Sequence, residues 1–316
     1  MKPSLVAPLL LSIFMSASAL AGGAWESMSP EAIGGVLDKK FAEGRYSKKG
    51  ADTCLACHKR SEKVLTIFST PHGNAANDKS PMGSLQCEAC HGPIGKHNRG
   101  GKEPMIAFGE GSPLTAENQN SVCMSCHQDE PRMSWHSSLH NLEEVACADC
   151  HQIHSEQDPV LSKDTQVEVC TSCHTREQSD LKKRSHHPLD WDGMTCTSCH
   201  SAHGSMNEAS LKQATVNENC YECHTDKRSV YLVEHQPVID NCSNCHDPHG
   251  SVNDNLLIRR APQLCQSCHA SPHSGTALLG SGNSTMTSGQ SCLNCHSQIH
   301  GSHNPVYDKY TPPLSR

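Results

Sequence analysis

Cys54-Leu55-Ala56-Cys57-His58 is the stretch from which the rest of the chain can be read. Its Cys-x-x-Cys-His pattern occurs ten times and uses all 20 cysteines. The later copies are Cys87, Cys90 and His91; Cys123, Cys126 and His127; Cys147, Cys150 and His151; Cys170, Cys173 and His174; Cys196, Cys199 and His200; Cys220, Cys223 and His224; Cys242, Cys245 and His246; Cys265, Cys268 and His269; and Cys292, Cys295 and His296. They are numbered motifs 1 to 10 in chain order. Two thiols one turn apart reach the two vinyl groups of one porphyrin and form thioethers. The adjacent imidazole is then held beneath the iron. A disulfide framework does not set a histidine behind every second cysteine. A zinc site needs a second ligand pair close by. The pattern therefore specifies ten covalent haem c groups, with the motif histidines as axial iron ligands.

Moving outward, the chain has 23 histidines, and 13 lie outside the motifs. Each stretch after a motif holds at least one, which gives every iron a candidate sixth ligand. In order they are His72, His97, His140, His154, His187, His203, His235, His249, His273 and His300. The surplus forms doublets: His136 with His140, His186 with His187, and His300 with His303. Regular spacing selects within them. His140 lies 13 residues after His127, and His187 lies 13 after His174. His154, His203 and His249 each lie three after a motif histidine. His140, His187 and His300 are therefore preferred, and ten bis-histidine haems are expected. Which iron each distal histidine serves does not follow from order alone. Methionine is the other sixth ligand available, but Met124, Met133, Met194 and Met206 are better read as packing against porphyrin faces.

Long and short histidine spacings alternate, so two haems form one repeat. The repeats start at Cys54, Cys123, Cys170, Cys220 and Cys265, separated by 69, 47, 50 and 45 residues. Repeats of this length predict a quasi-one-dimensional assembly. Composition agrees. Apolar residues make up 35 % of the chain, the cysteines included, and aromatics only 4 %. The chain is short of side-chain core, and porphyrins must supply it. The expected fold is a multihaem cytochrome c: an elongated rod of short helices and loops around ten haems, with little or no sheet.

Lys2, an apolar run from Leu5 to about Met15 and Ala19-Leu20-Ala21 read as a signal peptide over 1–21. A helical segment over 22–53 follows. There Ser29-Pro30-Glu31 is a helix start, and Ile33, Val36, Leu37 and Phe41 share one face of a helix over about 30–43. The decahaem domain spans 54–303, in units 54–97, 123–154, 170–203, 220–249 and 265–300, and a tail covers 304–316. A motif-bearing helix is expected over Cys57–Phe68, and a Gly-, Ser- and Thr-rich loop over 275–291. Lys39-Lys40, Lys48-Lys49, Lys182 to Arg184 and Arg259-Arg260 read as solvated surface. A net charge of −7, without a basic stripe interleaved with aromatics, gives no nucleic-acid footprint.

The runs LDKKFAEG (37–44), KGADTC (49–54), NSVCMSCHQD (120–129), RAPQLCQSCHAS (260–271) and SCLNCHSQIHGS (291–302) resemble the MtrA/DmsE-type periplasmic decahaem cytochromes. The resemblance extends over essentially the whole chain beyond the first segment, including the gaps between motifs. It implies residence in the periplasm, threaded into an outer-membrane β-barrel porin. It implies electrons arriving from a quinol-dehydrogenase cytochrome of the inner membrane or periplasm and leaving to an extracellular multihaem cytochrome. Metal oxides are the implied acceptor, with extracellular dimethyl sulfoxide reduction as the paralogous alternative. It also implies distal ligands at the ten histidines chosen above, and His303 has no matching role. A row of ten porphyrins spaced ~10 Å apart would outspan a barrel's apolar band of ~25 Å.

With both axial positions of every iron closed, no open site remains for a substrate. The expected role is electron transfer rather than catalysis. A multihaem reductase would need one open iron, whereas a diffusing periplasmic shuttle would share this ligand set.

Overall fold

A computed structural model describes residues 28–99, 104–129, 132–189, 193–269, 291–304 and 313–315. The expected signal peptide, the loop read at 275–291 apart from Ser291, and His273 lie outside the described residues. The described residues form short helices and loops. They contain no strand, only isolated bridges such as Ser185 with Ser251 and Val233 with Ser302.

The amino-terminal helix spans Pro30–Glu43, and the Ser29 hydroxyl accepts from Ala32 N–H at 3.4 Å. Ile33 and Leu37 turn inward against Ile106 and Leu114, with Met28, Phe41, Phe108 and Val122 around them. Val36, expected on that face, is exposed instead, because the buried stripe is only as wide as one seam. Burying each such side chain contributes ~1.5–3 kcal/mol, while ordering costs ~1–2 kcal/mol per residue in backbone entropy alone. One small cluster cannot hold a chain of this length. Large apolar side chains such as Leu139, Leu142, Leu161 and Val252 stand open on the polypeptide.

The motifs sit on two kinds of local structure. In motifs 3, 5, 7 and 9 a helix runs into the first cysteine: Ala116–Met124, Lys163–Thr171, Val216–Tyr221 and Ala261–Gln266. In motifs 2, 4 and 6 the helix starts at the first cysteine: Cys87–His91, Cys147–Cys150 and Cys196–Cys199. Motifs 8 and 10 begin tighter turns in the same way, Cys242–Asn244 and Cys292–Asn294. The helix expected over Cys57–Phe68 is broken. Ala51–His58 carries motif 1, and Ser61 starts a new helix, Glu62–Leu65, by accepting from Val64 N–H. The cap at Ser61 outcompetes continuation, because a serine oxygen satisfies an otherwise unpaired first-turn donor.

The basic clusters are more than solvated surface. Lys183 pairs with the buried Asp180 at 2.6 Å, Arg184 with Asp254 at 2.5 Å, and Lys40 donates to Pro104 O at 2.6 Å. The first two tie the segment after motif 5 to the loop after motif 8, because Lys183 also donates to Gly250 O.

Candidate haem sites

None of the 20 cysteines is in a disulfide, and none is fully buried. They lie in single file. Within each pair of motifs the leading thiols interact: Cys54 with Cys87, Cys123 with Cys147, Cys170 with Cys196, Cys220 with Cys242, and Cys265 with Cys292. Between pairs the trailing thiols take over. Cys90 is within electrostatic reach of Cys126, Cys150 of Cys173, Cys199 of Cys223, and Cys245 of Cys268. Each motif therefore adjoins the next from the first to the tenth.

The pairs are clamped by buried amides that sequence reading missed. Asn120 donates to Val145 O and accepts from Cys147 N–H at 2.7 Å. Asn217 does the same with Val238 O, Ile239 O and Cys242 N–H. Gln166 accepts from Thr197 N–H and donates to Val160 O. In each case a helix leading into one motif holds the start of the next. Their position three or four residues before a cysteine is a signal the chain does carry.

Distal histidines reach across to motifs in other pairs. Imidazole centroids are 5.9 Å apart for His72 and His127, 6.2 Å for His154 and His91, and 6.0 Å for His140 and His174. They are 6.1 Å apart for His203 and His151, 6.3 Å for His187 and His224, and 6.1 Å for His249 and His200. They are 6.4 Å apart for His235 and His269, and 6.2 Å for His300 and His246. With a metal–imidazole bond of about 2 Å, two rings on opposite sides of one metal have centroids roughly 6.3 Å apart. The spacing thus leaves room for one iron in each of eight pairs. Among the described residues no three histidine, cysteine, aspartate or glutamate side chains converge as a bare-ion site. Two imidazoles at this spacing fit an iron whose other four ligands come from a porphyrin.

The ring nitrogens are set for this. His91, His140, His154, His187, His200, His246 and His296 each place Nδ1 at 2.6–3.0 Å from a backbone carbonyl. Nδ1–H then donates, and Nε2 keeps its lone pair for a metal. Burial lowers the proton affinity of His72, His91, His127, His203, His235 and His300, which favours the neutral ring that can ligate. The other doublet members are placed differently. His186 donates to Lys183 O, His303 packs on the Tyr231 ring at 5.1 Å, and His136 lines a cleft with Met124, Gln128, Arg132 and Met133.

The glycines after three distal histidines lock the neighbours together. A methyl group on Gly204 would meet Ser138 Cβ at 2.7 Å and Ser134 O at 2.9 Å; at Gly250 it would strike the Asp180 carbonyl, and at Gly301 the Tyr231 ring. These contacts seat the loops carrying His203 and His249 on the segments leading to His140 and His187. The neighbouring carbonyls of Ala202 and Pro248 accept from those same two histidines.

Fold and sites together define a multihaem c-type cytochrome. The NrfB-like c-type cytochrome family matches residues 87–167, the doubled CXXCH motif matches 186–229 and 235–274, and the cytochrome c554 and c-prime family matches 22–92. The multiheme cytochrome MtrA of Shewanella baltica (strain OS185) is 57 % identical over 315 residues, covering 96 % of this chain and 95 % of the relative. The cytochrome c-type protein NrfB of Escherichia coli O6:H1 is 30 % identical over 181 residues, 54 % of this chain and 91 % of the relative. The chain belongs to the MtrA family. It carries covalently bound haem c and is an electron-transfer protein, not an enzyme. Among the described residues no helix is long and apolar enough to cross a membrane.

Proposed function

We propose that this protein is a ten-haem wire that carries electrons from the periplasmic side through an outer-membrane porin to an extracellular multihaem cytochrome, with metal oxides as the final acceptor. Each iron is held by two imidazoles. Eight pairs follow the ring spacings above, and the irons at His58 and His296 fall to the remaining His97 and His273. The two-haem unit is the repeating element, and its distal histidines interlock it with its neighbours. The observation that carries this reading is the unbroken succession of motifs from Cys54 to Cys292, each with a thiol within electrostatic reach of the next. Motifs that neighbour one another along the whole chain would place successive porphyrins close together and keep each electron step short. Bis-imidazole ligation leaves the irons no open position for substrate, which supports conduction over reduction of a small molecule. A likeness to MtrA across 96 % of the chain supports the porin-bound role over a diffusing shuttle and over the dimethyl sulfoxide branch. The donor is a quinol-dehydrogenase cytochrome of the inner membrane or periplasm.

Affinity purification from solubilised outer membranes tests this. A β-barrel and an extracellular multihaem cytochrome should elute with the protein, and the preparation should give only low-spin ferric signals at low temperature. Elution of the protein alone, or a stoichiometric high-spin signal, would overturn it. A molybdenum enzyme in place of the extracellular cytochrome would move the end-point to dimethyl sulfoxide.

A further inference from the structure

Seven of the candidate ligand histidines donate their Nδ1–H to a neutral backbone carbonyl. His151, in motif 4, does not. Its Nδ1 lies 2.6 Å from Asp158 Oδ2, with the carboxylate largely shielded at 14 % exposure and the ring at 28 %. The carboxylate is fixed rather than drifting, since its Oδ1 accepts from Gln152 N–H at 3.2 Å and Val160 N–H at 3.4 Å. The other acidic neighbour of a motif histidine is Glu177, whose carboxylate is 3.9 Å from His174 Nδ1, beyond hydrogen-bond reach.

The loop explains the substitution. After motifs 6 and 8 the acceptor is the carbonyl nine residues on, Ala209 or Asn255, turned inward by a left-handed residue. After motif 4 the acceptor comes seven residues on, where an aspartate side chain reaches into the same slot ahead of Pro159. A charged acceptor makes a hydrogen bond roughly twice as strong as a neutral one. It draws the proton away from Nδ1 and makes Nε2 a stronger donor to a metal.

We propose that Asp158 is a positioning residue that sets the potential of the motif-4 haem, holding it below the value the same iron would have with a carbonyl partner. This rests on the bis-histidine reading of that site, His151 with His203. With a haem bound, its iron would take one electron with no bond broken, while Asp158 would keep accepting the hydrogen bond from His151 Nδ1. A more basic imidazole stabilises the ferric side and so disfavours the electron's arrival. The wire then has a low-potential station between motifs 3 and 5.

The test compares the full haem-loaded protein with Asp158→Asn by spectroelectrochemical titration, after counting haems by pyridine haemochrome. Asp158→Asn should load ten haems, and one-tenth of the absorbance change should move to higher potential while nine-tenths superimposes on the parent. Ten haems with an unchanged titration would overturn the proposal. If Asp158→Asn loads fewer, Asp158→Ser carries the same test. If neither loads ten, Asp158 only builds the site and the proposal is rejected. A failure of the underlying ligand reading looks different: the parent itself would then bind carbon monoxide or show a high-spin iron.

Discussion

The odd- and even-numbered motifs bear the same five-residue signature but are built in opposite ways. Odd motifs from the third onward end a helix, and their distal histidines come from the pair before. The His72 ring lies beside that of motif 3, His140 beside motif 5, His187 beside motif 7 and His235 beside motif 9. Even motifs open a helix or tight turn, and their distal histidines come from the pair after: His154 for motif 2, His203 for motif 4, His249 for motif 6 and His300 for motif 8. Each of the three inner pairs thus places one imidazole against the pair before and one against the pair after, and each end pair places one against its single neighbour. Among the described residues, where little apolar core is present, these crossings link each pair to its neighbours.

The strongest way to break this picture is to remove one lent imidazole. His187→Ala should open the iron of motif 7, not those of motifs 5 or 6 that flank it in sequence. One equivalent of carbon monoxide should bind to the reduced protein. Adding Cys220→Ala and Cys223→Ala, which deletes the motif-7 haem, should abolish that binding. Adding Cys196→Ala and Cys199→Ala should leave it intact. Binding that vanishes with the motif-6 haem instead would undo the pairing. His249→Ala is the forward counterpart and should open motif 6.

Within a pair, the amide clamp carries the next largest effect. Asn217 is buried and makes three hydrogen bonds. Asn217→Ala strands the Cys242 N–H and two carbonyls, at about 1–3 kcal/mol for each buried group left unpaired. The melting temperature should fall, and limited proteolysis should cut first between motifs 7 and 8. Between pairs the expected cost is smaller. Gly250→Ala forces a methyl against the Asp180 carbonyl, an overpacking of about 1–3 kcal/mol. That should loosen the contact of the motif-8 loop with the segment before His187 and speed cleavage there, with haem content unchanged.

The sequence made much of this legible, because the haem signature is local. Two thiols and an imidazole must lie within five residues, and the Ser29-Pro30 start placed the Pro30–Glu43 helix to its bounds. What stayed hidden is non-local. Nothing in the order of His154 and His151, three residues apart, says that they face different irons, yet His154 meets His91 and His151 meets His203. Helical periodicity over Cys57–Phe68 hid the break at Ser61, because a cap acts on one backbone donor and leaves no trace in the apolar pattern. Asn120 and Asn217 carry only a weak local mark, their place three residues before a cysteine, because a buried amide's role is set by the carbonyls it meets, and these lie more than twenty residues away.

The finest distinction lies between two even sites. Both Ala209 and Asn255 turn a carbonyl toward a motif histidine from the left-handed region, at φ 50° and 56°. For an alanine that conformation costs roughly 1–2 kcal/mol, whereas asparagine tolerates it and glycine adopts it freely. Ala209→Gly should therefore stabilise the motif-6 loop by up to about 1 kcal/mol, net of the extra freedom glycine has in the unfolded chain. Asn255→Gly should gain less, because part of the strain is already relieved. Paired thermal melts of the two variants, both with full haem content, check the order. If Asn255→Gly gained more, the turn would not be what orients these carbonyls, and the resemblance between the two loops would be one of sequence alone.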